Sequence, residues 1–418
     1  MSALQVYQTY KISGTDPDSD TLDHALDLIV QGGPKGFSLR NLAQKAGISA
    51  SLLNYRYGSR DALLERTLEH ACHRNTRLWN RRTALFAHMP LSVDDLPAIL
   101  FATVSEIITA GRKEFLAGWF CQTQAVRDGL YHDIARRWHA DSAIFWREVL
   151  ISAGQDPTLA PGLSAAMTSA CRIGLVAGDD PIAAAWLYDT LQRIKDRLLR
   201  RPVSRKGDSP WRAQKEKPLS LISPRQPGQT ASTRDKIIDA AVQIIVESGP
   251  DALTHRAIAE RAGVSLSSTT HHFASLDDIL VSAFNLIYGN IRQQPVVSTD
   301  LVQARRMETL LNILTEQALP GQRVAEREVM AMDEIMLAAA RRPETQAIAT
   351  GLLASVGRTS TTMLQTLEGK RDDTDRLDGQ ILRFIITGLQ EQVAVSDEAH
   401  GEAWFREHFE RIATHFYC

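Results

Sequence analysis

The chain contains one stretch of sequence twice. Residues 22–64 and 238–280 align without a gap at a constant offset of 216 positions. Because the two copies share turn-forming and helix-capping residues, both are expected to fold into the same local structure. The shared positions include Gly33 and Gly249, Pro34 and Pro250, Gly47 and Gly263, Ser49 and Ser265, and Ser59 and Ser275.

Short amphipathic helices account for the pattern within the first copy. Apolar residues over 22–30 recur at i, i+3, i+4 and i+7, which predicts a helix with one buried face. The Gly32-Gly33-Pro34 run ends this helix and turns the chain. Ser38 is placed to cap a second helix, and Gly47 suits the left-handed conformation at which that helix ends.

A third and a fourth helix follow by the same reasoning. Ser49 caps a short helix that runs through Arg56, and Ser59 caps the next one. Small residues at Ala46 and Gly47 let the second and third helices cross closely, which predicts a helix-turn-helix. The second copy repeats these caps, at Thr254, Ser265 and Ser275.

These segments resemble the DNA-binding domain of the tetracycline-repressor (TetR) family. In that family an A-G-V-S run precedes a short recognition helix and an aromatic-rich corner. The matching segments are 46–49 (AGIS) and 262–265 (AGVS), followed by 55–60 (YRYGSR) and 271–275 (HHFAS). The resemblance implies an all-α fold of two TetR-like copies. Each copy would have an N-terminal helix-turn-helix domain and a C-terminal helical domain for ligand binding and dimerisation.

The resemblance and the side-chain chemistry together indicate which residues face DNA. Hydrogen-bonding side chains read base edges, and positive charge binds phosphates. The candidates in the first copy are Ser38, Arg40, Ser49, Ser51, Asn54, Tyr55, Arg56 and Arg60. Those in the second copy are Thr254, Arg256, Ser265, Ser267, Thr270, His271 and His272. Because Asn favours adenine and Arg favours guanine, while Thr and Ser are less selective, we expect unlike half-sites in an asymmetric DNA operator.

Charge is distributed unevenly between the two copies. Residues 1–90 contain eleven Lys and Arg against eight Asp and Glu, whereas residues 237–300 contain three against seven. Members of the resembled family usually have Lys at the start of the fourth helix; Arg60 keeps that charge and Leu276 does not. We therefore expect the first copy to dominate DNA affinity. The net charge of −2 argues against a protein that coats nucleic acid indiscriminately.

A chain of 418 residues is too long for one ordinary core, so several domains are expected. The predicted order is a helix-turn-helix domain (1–85), a helical ligand-binding and interface domain (86–200), a basic linker (201–230), a second helix-turn-helix domain (231–294) and a second helical interface domain (295–418). In the resembled family the last two helices of each subunit form a four-helix dimer interface. The segments that would take this role are 163–177 with 182–199, and 377–395 with 399–416.

A small-molecule site is expected because members of the resembled family sense ligands in the helical domain. Ligand pockets are mainly apolar with a few orienting polar groups, and the first copy holds most of the aromatic side chains. The predicted ligand-binding residues are Trp119, Phe120, Trp138, His139 and Phe145. Aromatic residues at helical spacing are also common in ordinary cores, so a purely structural role for them stays open.

Other classes of function have little support. The sequence lacks a glycine-rich phosphate loop and a nucleophile elbow, so we expect no enzyme activity, no cofactor and no metal. It has no uninterrupted apolar run long enough for a membrane span, and its four scattered cysteines fit a cytoplasmic protein.

The sequence thus predicts a DNA-binding transcriptional regulator, a ligand-released repressor whose two copies pair within one chain as a pseudo-dimer. Its expected partners are a double-stranded DNA operator and a small-molecule effector. The alternative is an interaction or scaffold protein whose second DNA-binding module is degenerate.

Overall fold

The computed structural model describes residues 17–86, 89–203, 231–293, 304–318, 326–342, 348, 351, 355–396 and 398–418. The regular elements of these residues are α-helices with three short 3-10 turns, so the all-α prediction is confirmed. The predicted N-terminal arm before residue 17 and most of the predicted linker, at 204–230, lie outside the described residues.

The first copy begins with the four helices that the sequence predicts, followed by five more. The first four are α1 (Pro17–Gly36), α2 (Leu39–Ala46), α3 (Ala50–Tyr57) and α4 (Arg60–Phe86). The next five are α5 (Leu96–Ile108), α6 (Arg112–Asp128), α7 (His132–Ser152), α8 (Ala160–Ala177) and α9 (Pro181–Leu198). Helix α1 is interrupted at Gly33 (φ 65°, ψ −177°), within the run where the sequence predicts its end.

The second copy repeats this order within the described residues. Its helix-turn-helix module contains α10 (Thr233–Ser248), α11 (His255–Ala262), α12 (Leu266–His272) and α13 (Leu276–Gln293). The helices that follow are α14 (Met307–Glu316), α15 (Glu326–Ala340), α16 (Arg358–Thr366), α17 (Arg376–Ala394) and α18 (Glu398–Tyr417).

The two copies meet along α8 and α17, which form the most extensive helix–helix contact of the described residues. Gly388 on α17 lies directly against the backbone of Ala165 on α8, where any side chain would collide. Helices α9 and α18 contact each other and also the opposite copy's central helix. The four segments expected to form an interface therefore lie together.

The segment Pro157–Ala177, which contains α8, is long and apolar enough to span a membrane by composition alone. However, 83% of its most apolar 18-residue window is buried inside the protein. Its apolar character is explained by this central position, because α8 contacts helices of both copies.

The buried ion pairs described between the two copies all distribute their charges in the same way. In each of them the cation belongs to the first copy and the carboxylate to the second. The pairs are Arg127 with Glu334, Arg172 with Asp333 and Glu391, Arg193 with Asp375 and Asp378, and Arg197 with Asp373 and Asp378. The two faces are therefore complementary to each other, and neither face is complementary to itself.

Arg197 and Asp378 form the most deeply buried of these pairs, and neither side chain is exposed to solvent. Arg197 Nε donates to Asp378 Oδ1 at 2.7 Å, and Nη2 donates to Oδ2 at 2.9 Å, which makes the contact bidentate. Arg193 donates to the same carboxylate, and the Tyr417 hydroxyl donates to the Asp378 carbonyl oxygen. The charges are stable here only because they compensate one another.

We expect Arg197→Met to lower the free energy of unfolding by about 3–5 kcal/mol, because it removes one partner of a buried pair and leaves charge uncompensated. Urea unfolding followed by circular dichroism measures this loss. The matched control is Arg261→Met, which breaks the exposed pair with Glu247 and should cost less than about 1 kcal/mol. Equal effects of the two substitutions would contradict the importance of the buried pair.

Candidate DNA interface and ligand cavity

The first helix-turn-helix is built on the caps that the sequence predicts. Ser38 Oγ accepts a hydrogen bond from the Asn41 amide at 3.1 Å, and Ser49 Oγ accepts one from the Leu52 amide at 3.1 Å. Between them Gly47 adopts the left-handed conformation with φ of 67°. These contacts end α2, begin α3 and set the angle between the two helices.

The second helix-turn-helix uses the same devices. Thr254 Oγ1 accepts from the Ala257 amide at 3.0 Å, and Ser265 Oγ accepts from the Ser268 amide at 3.2 Å. Gly263, with φ of 65°, makes the turn. The repeat in sequence is therefore a repeat in local geometry.

The recognition helices α3 and α12 present most of the predicted DNA-facing side chains to solvent. Tyr55 is 90% exposed, which is unusual for an aromatic side chain in a folded domain. Ser38 and Arg60 are half-buried. The remaining candidates are all exposed, and they are Arg40, Ser49, Ser51, Asn54, Arg56, Thr254, Arg256, Ser265, Ser267, Thr270, His271 and His272.

Part of the Arg60 guanidinium already forms hydrogen bonds within the first module. Its Nε donates to the Phe37 carbonyl oxygen at 3.0 Å, and its Nη1 lies 2.9 Å from Asp61 Oδ1. Its guanidinium also lies 5.7 Å from the centre of the Phe37 ring. Arg60 therefore braces the start of α4, and a phosphate contact there would compete with Asp61.

In the second module, side chains of the recognition helix form more hydrogen bonds within the helix itself than those of the first module do. The Thr270 hydroxyl donates to the Ser267 carbonyl oxygen at 3.1 Å, and the Ser265 and Ser267 hydroxyls are 2.9 Å apart. Helix α12 also carries no arginine, whereas α3 carries Arg56. The two surfaces differ in both charge and available hydrogen-bonding groups.

The aromatic corner of the first module is fixed by Tyr57. This side chain is buried, and its hydroxyl donates to Asp18 Oδ1 at 2.7 Å. Burial, followed by the contact with Asp18, raises the pKa of Tyr57 to about 12, so the hydroxyl keeps its proton at neutral pH. The bond ties the end of α3 to the start of α1.

The second module is held by a residue of the first copy. Arg127 on α6 donates to both carboxylate oxygens of Glu334 on α15, at 2.6 Å each. The same guanidinium donates to the carbonyl oxygens of Ile245 and Val246 in the last turn of α10, at 3.4 Å and 3.1 Å. The Ile245 carbonyl oxygen also accepts from the Gly249 amide at 2.8 Å, so Arg127 adds a side-chain contact to the C-terminal end of α10 and anchors this helix to the first copy.

The two modules also approach each other at their first turns. Arg341 Nη2 lies 3.5 Å from Asp251 Oδ1 of the second module. On the other side, Arg341 fills the space that a side chain at Gly33 of the first module would occupy. This contact involves the turn that precedes each helix-turn-helix and therefore limits how the recognition helices are spaced.

A small cavity lies within the helical domain of the first copy. Its volume is about 20 Å³, and α4, α5, α6, α7 and α8 surround it. Three tryptophans, Trp79, Trp138 and Trp146, are among the residues that line it. Trp138 packs directly over Gly118, where no side chain would fit.

A larger cavity, of about 290 Å³, lies at the corresponding place in the second copy. Helices α13, α14, α15, α16 and α17 line it, and α6 and α8 of the first copy close one side. Its apolar lining includes Met330, Met336, Met363, Leu314 and Phe384. The volume is close to the lower end of the roughly 300–1,000 Å³ that is usual for ligand pockets.

The residues predicted to bind a ligand do not surround this larger cavity. Trp119 instead faces the second copy, where its Nε1 lies 3.0 Å from each carboxylate oxygen of Asp333. Bulky aromatic side chains fill the first copy, so they mark a packed core and leave little open volume. Trp138 and His139 border only the small cavity, and the buried Phe120 and Phe145 border neither.

The sequence reasoning missed the residues that position the second module and line the larger cavity. Arg127 lies 207 positions from Glu334, and Arg341 is likewise far in sequence from its contacts at Gly33 and Asp251, so no local pattern links these residues to their partners. The sequence does single out Arg383, because it is the one charged residue in a mainly apolar stretch of α17 (ILRFIITGL). Among the described residues, no group of three His, Cys, Asp or Glu side chains is placed to hold a metal ion.

This architecture defines a protein with two helix-turn-helix DNA-binding units, and comparison with known proteins agrees. The family model "Bacterial regulatory proteins, tetR family" matches residues 22–67 and again 237–283. The chain therefore contains the DNA-binding domain of the TetR family twice.

Two curated relatives match over the length of about one such domain. The HTH-type transcriptional repressor KstR2 of Mycolicibacterium smegmatis is 32% identical over 76 residues, covering 17% of this chain and 37% of the relative. The HTH-type transcriptional regulator BetI of Rhizobium meliloti is 31% identical over 71 residues, covering 17% and 35%. The matched part thus spans little more than a third of each relative.

Among solved structures, the chain is similar to the multidrug binding protein EbrR in its complex with ethidium. The sequence identity is 29%, the match covers 44% of this chain and 99% of that one, and the TM-score is 0.33.

We expect His139→Gln to reduce the loss of stability on acidification. Burial, with a smaller contribution from Arg172, lowers the pKa of His139 to about 3, while its Nε2 lies 2.8 Å from Gln122 Oε1. A histidine with a depressed folded-state pKa stabilises the fold fully above its unfolded pKa of about 6.5, and this contribution falls as pH decreases. Between pH 7 and pH 5 the wild-type chain should lose about 2 kcal/mol more than the variant.

Urea unfolding at the two pH values tests this expectation. The control variant is His73→Gln, at an exposed position. Its stability should depend on pH in the same way as that of the wild type. An unchanged pH dependence in His139→Gln would show that position 139 does not contribute to it.

Proposed function

We propose that the chain is a ligand-responsive repressor that binds one DNA operator as a single-chain pseudo-dimer. The observation that carries this function is the pair of exposed recognition helices, α3 and α12, each within a TetR-family domain. Helix-turn-helix domains usually act in pairs on two half-sites, and here one chain supplies both members.

Pairing within the chain is supported by the polarity of the buried ion pairs. If two first copies paired with each other, Arg193 and Arg197 would lose the carboxylates that compensate them. If two second copies paired, Asp378 would lose its guanidinium partners. Either arrangement buries unpaired charge, which is strongly unfavourable, so the first copy selects the second.

Release by a ligand is supported by the position of α15. One face of this helix lines the larger cavity through Met330 and Asp333. The next residue, Glu334, binds Arg127 and lies against the turn at Gly249 in the second module. A ligand that shifts α15 would move this module relative to the first, and a recognition helix that leaves the required spacing no longer fits the groove.

A second candidate is an interaction protein in which only the first module binds DNA. It is favoured by the acidic charge of residues 237–300 and by the local hydrogen bonds of Ser267 and Thr270. The experiments below separate the two candidates.

We expect one chain to be the minimal unit that binds an operator. Mass photometry of the DNA complex should show the mass of the DNA plus a single 46.4 kDa chain. As a control, wild-type chains with and without a large fluorescent tag are mixed before DNA is added, and complexes containing both forms should be absent. Mixed complexes would show instead that copies pair between chains, as in an ordinary two-fold dimer.

We expect the tightest operator to contain two unlike half-sites. Selection from random DNA is run with the wild type and with the matched variants Asn54→Ala and Thr270→Ala. Each variant should relax sequence preference in one half-site only, by about 1–3 kcal/mol per contacted base pair, because each side chain belongs to a different recognition helix. A perfect inverted repeat as the best site would contradict this expectation. An unchanged selection with Thr270→Ala would favour the second candidate.

A further inference from the structure

Arg383 projects from α17 into the larger cavity and lines its wall. Its side chain remains accessible to solvent although protein surrounds the cavity, and this enclosure lowers the pKa of the guanidinium. An arginine still keeps its positive charge at neutral pH. The cavity therefore contains a fixed cation in contact with its interior.

No hydrogen bond or ion pair engages the Arg383 guanidinium in the described part of the chain. The contrast with Arg172, which borders the same cavity, is clear: Arg172 is bound by Glu391 and by Asp333. Glu391 acts on Arg383 only through its charge, without a hydrogen bond. The accessible Arg383 guanidinium therefore has N–H donors that are available to an anion inside the cavity.

The rest of the cavity wall is suited to an apolar body. Met330, Met336 and Met363 line it, and methionine side chains adapt to differently shaped apolar groups. Leu314 and Phe384 add further apolar surface. A ligand that combines a short hydrocarbon body with one anionic group would match both features of the wall.

We propose that the larger cavity binds a small amphipathic organic anion whose carboxylate or similar group pairs with Arg383. This inference rests on the ligand-responsive function proposed above and adds the chemical class of the ligand. The guanidinium would donate two parallel hydrogen bonds to the anionic group, and the methionine-rich wall would contact the hydrocarbon part.

Binding of such an anion would be communicated to the DNA-reading modules through two helices. Helix α13, which begins after the short turn that follows the second recognition helix, contributes Tyr288 and Ile291 to the cavity wall. Helix α15 contributes Asp333 to the wall, and its next residue, Glu334, binds Arg127. The ligand would thus contact both helices that support the second module.

The test uses three probes with the same eight-carbon chain, namely octanoate, 1-octanol and octylammonium. Their binding to the full-length chain without DNA is measured by isothermal titration calorimetry. Octanoate should bind at least about 10-fold more tightly than either other probe, because only its charge complements Arg383. Equal or tighter binding of octylammonium would overturn the proposal and assign the site to the acidic residues of the wall.

Two variants and a control isolate the role of the guanidinium. Arg383→Met should lower octanoate affinity at least about 10-fold while leaving 1-octanol affinity within about 2-fold, and Arg383→Lys should retain a preference for octanoate. The exposed Arg261→Met should change neither. Undiminished octanoate binding by Arg383→Met, or no binding of octanoate by the wild type, would overturn the proposal.

DNA binding is titrated separately on the same preparations without any probe. If the chain fails to bind DNA but binds octanoate through Arg383, the regulator function fails and the anion site stands. If DNA binds and octanoate does not, the anion site fails alone.

Discussion

The arrangement of the whole chain depends on buried ion pairs that take their cations from one copy and their carboxylates from the other. Duplication alone would give two equivalent faces, and equivalent faces pair by symmetry, with each contact made twice. Here the contacts of Arg193 and Arg197 with Asp378 are made once, at one end of the interface. Complementary charge therefore favours contact between a first and a second copy over contact between two equal copies.

The local structure of the DNA-reading modules could be predicted from the sequence, because short-range interactions determine it. Ser38, Ser49, Thr254 and Ser265 each cap the helix that directly follows them, and these bonds involve residues only three positions apart. The same pattern indicated which side chains of the recognition helices face outward, and their individual DNA contacts stay predictions. Periodicity and caps are sufficient where the partners are neighbours in the chain.

The larger cavity could not be located in this way, because an empty volume depends on how distant helices pack. Aromatic content suggested a ligand site in the first copy, which stays a prediction, and there Trp138 packs over Gly118. The second copy has fewer large side chains at the corresponding place and leaves the larger cavity there, which Arg383 borders. A residue list records which side chains are available, whereas a cavity is defined by the volume they leave unfilled.

The covalent joining of the two copies has a consequence for how occupancy depends on the amount of protein. A repressor assembled from free subunits loses its paired form on dilution, so its active concentration falls roughly as the square of the total. The contact between α8 and α17 forms within one molecule, where the local concentration of one copy around the other is constant. In the proposed single-chain mode, a cell could therefore keep the protein at very few molecules, and each of them would still present both recognition helices.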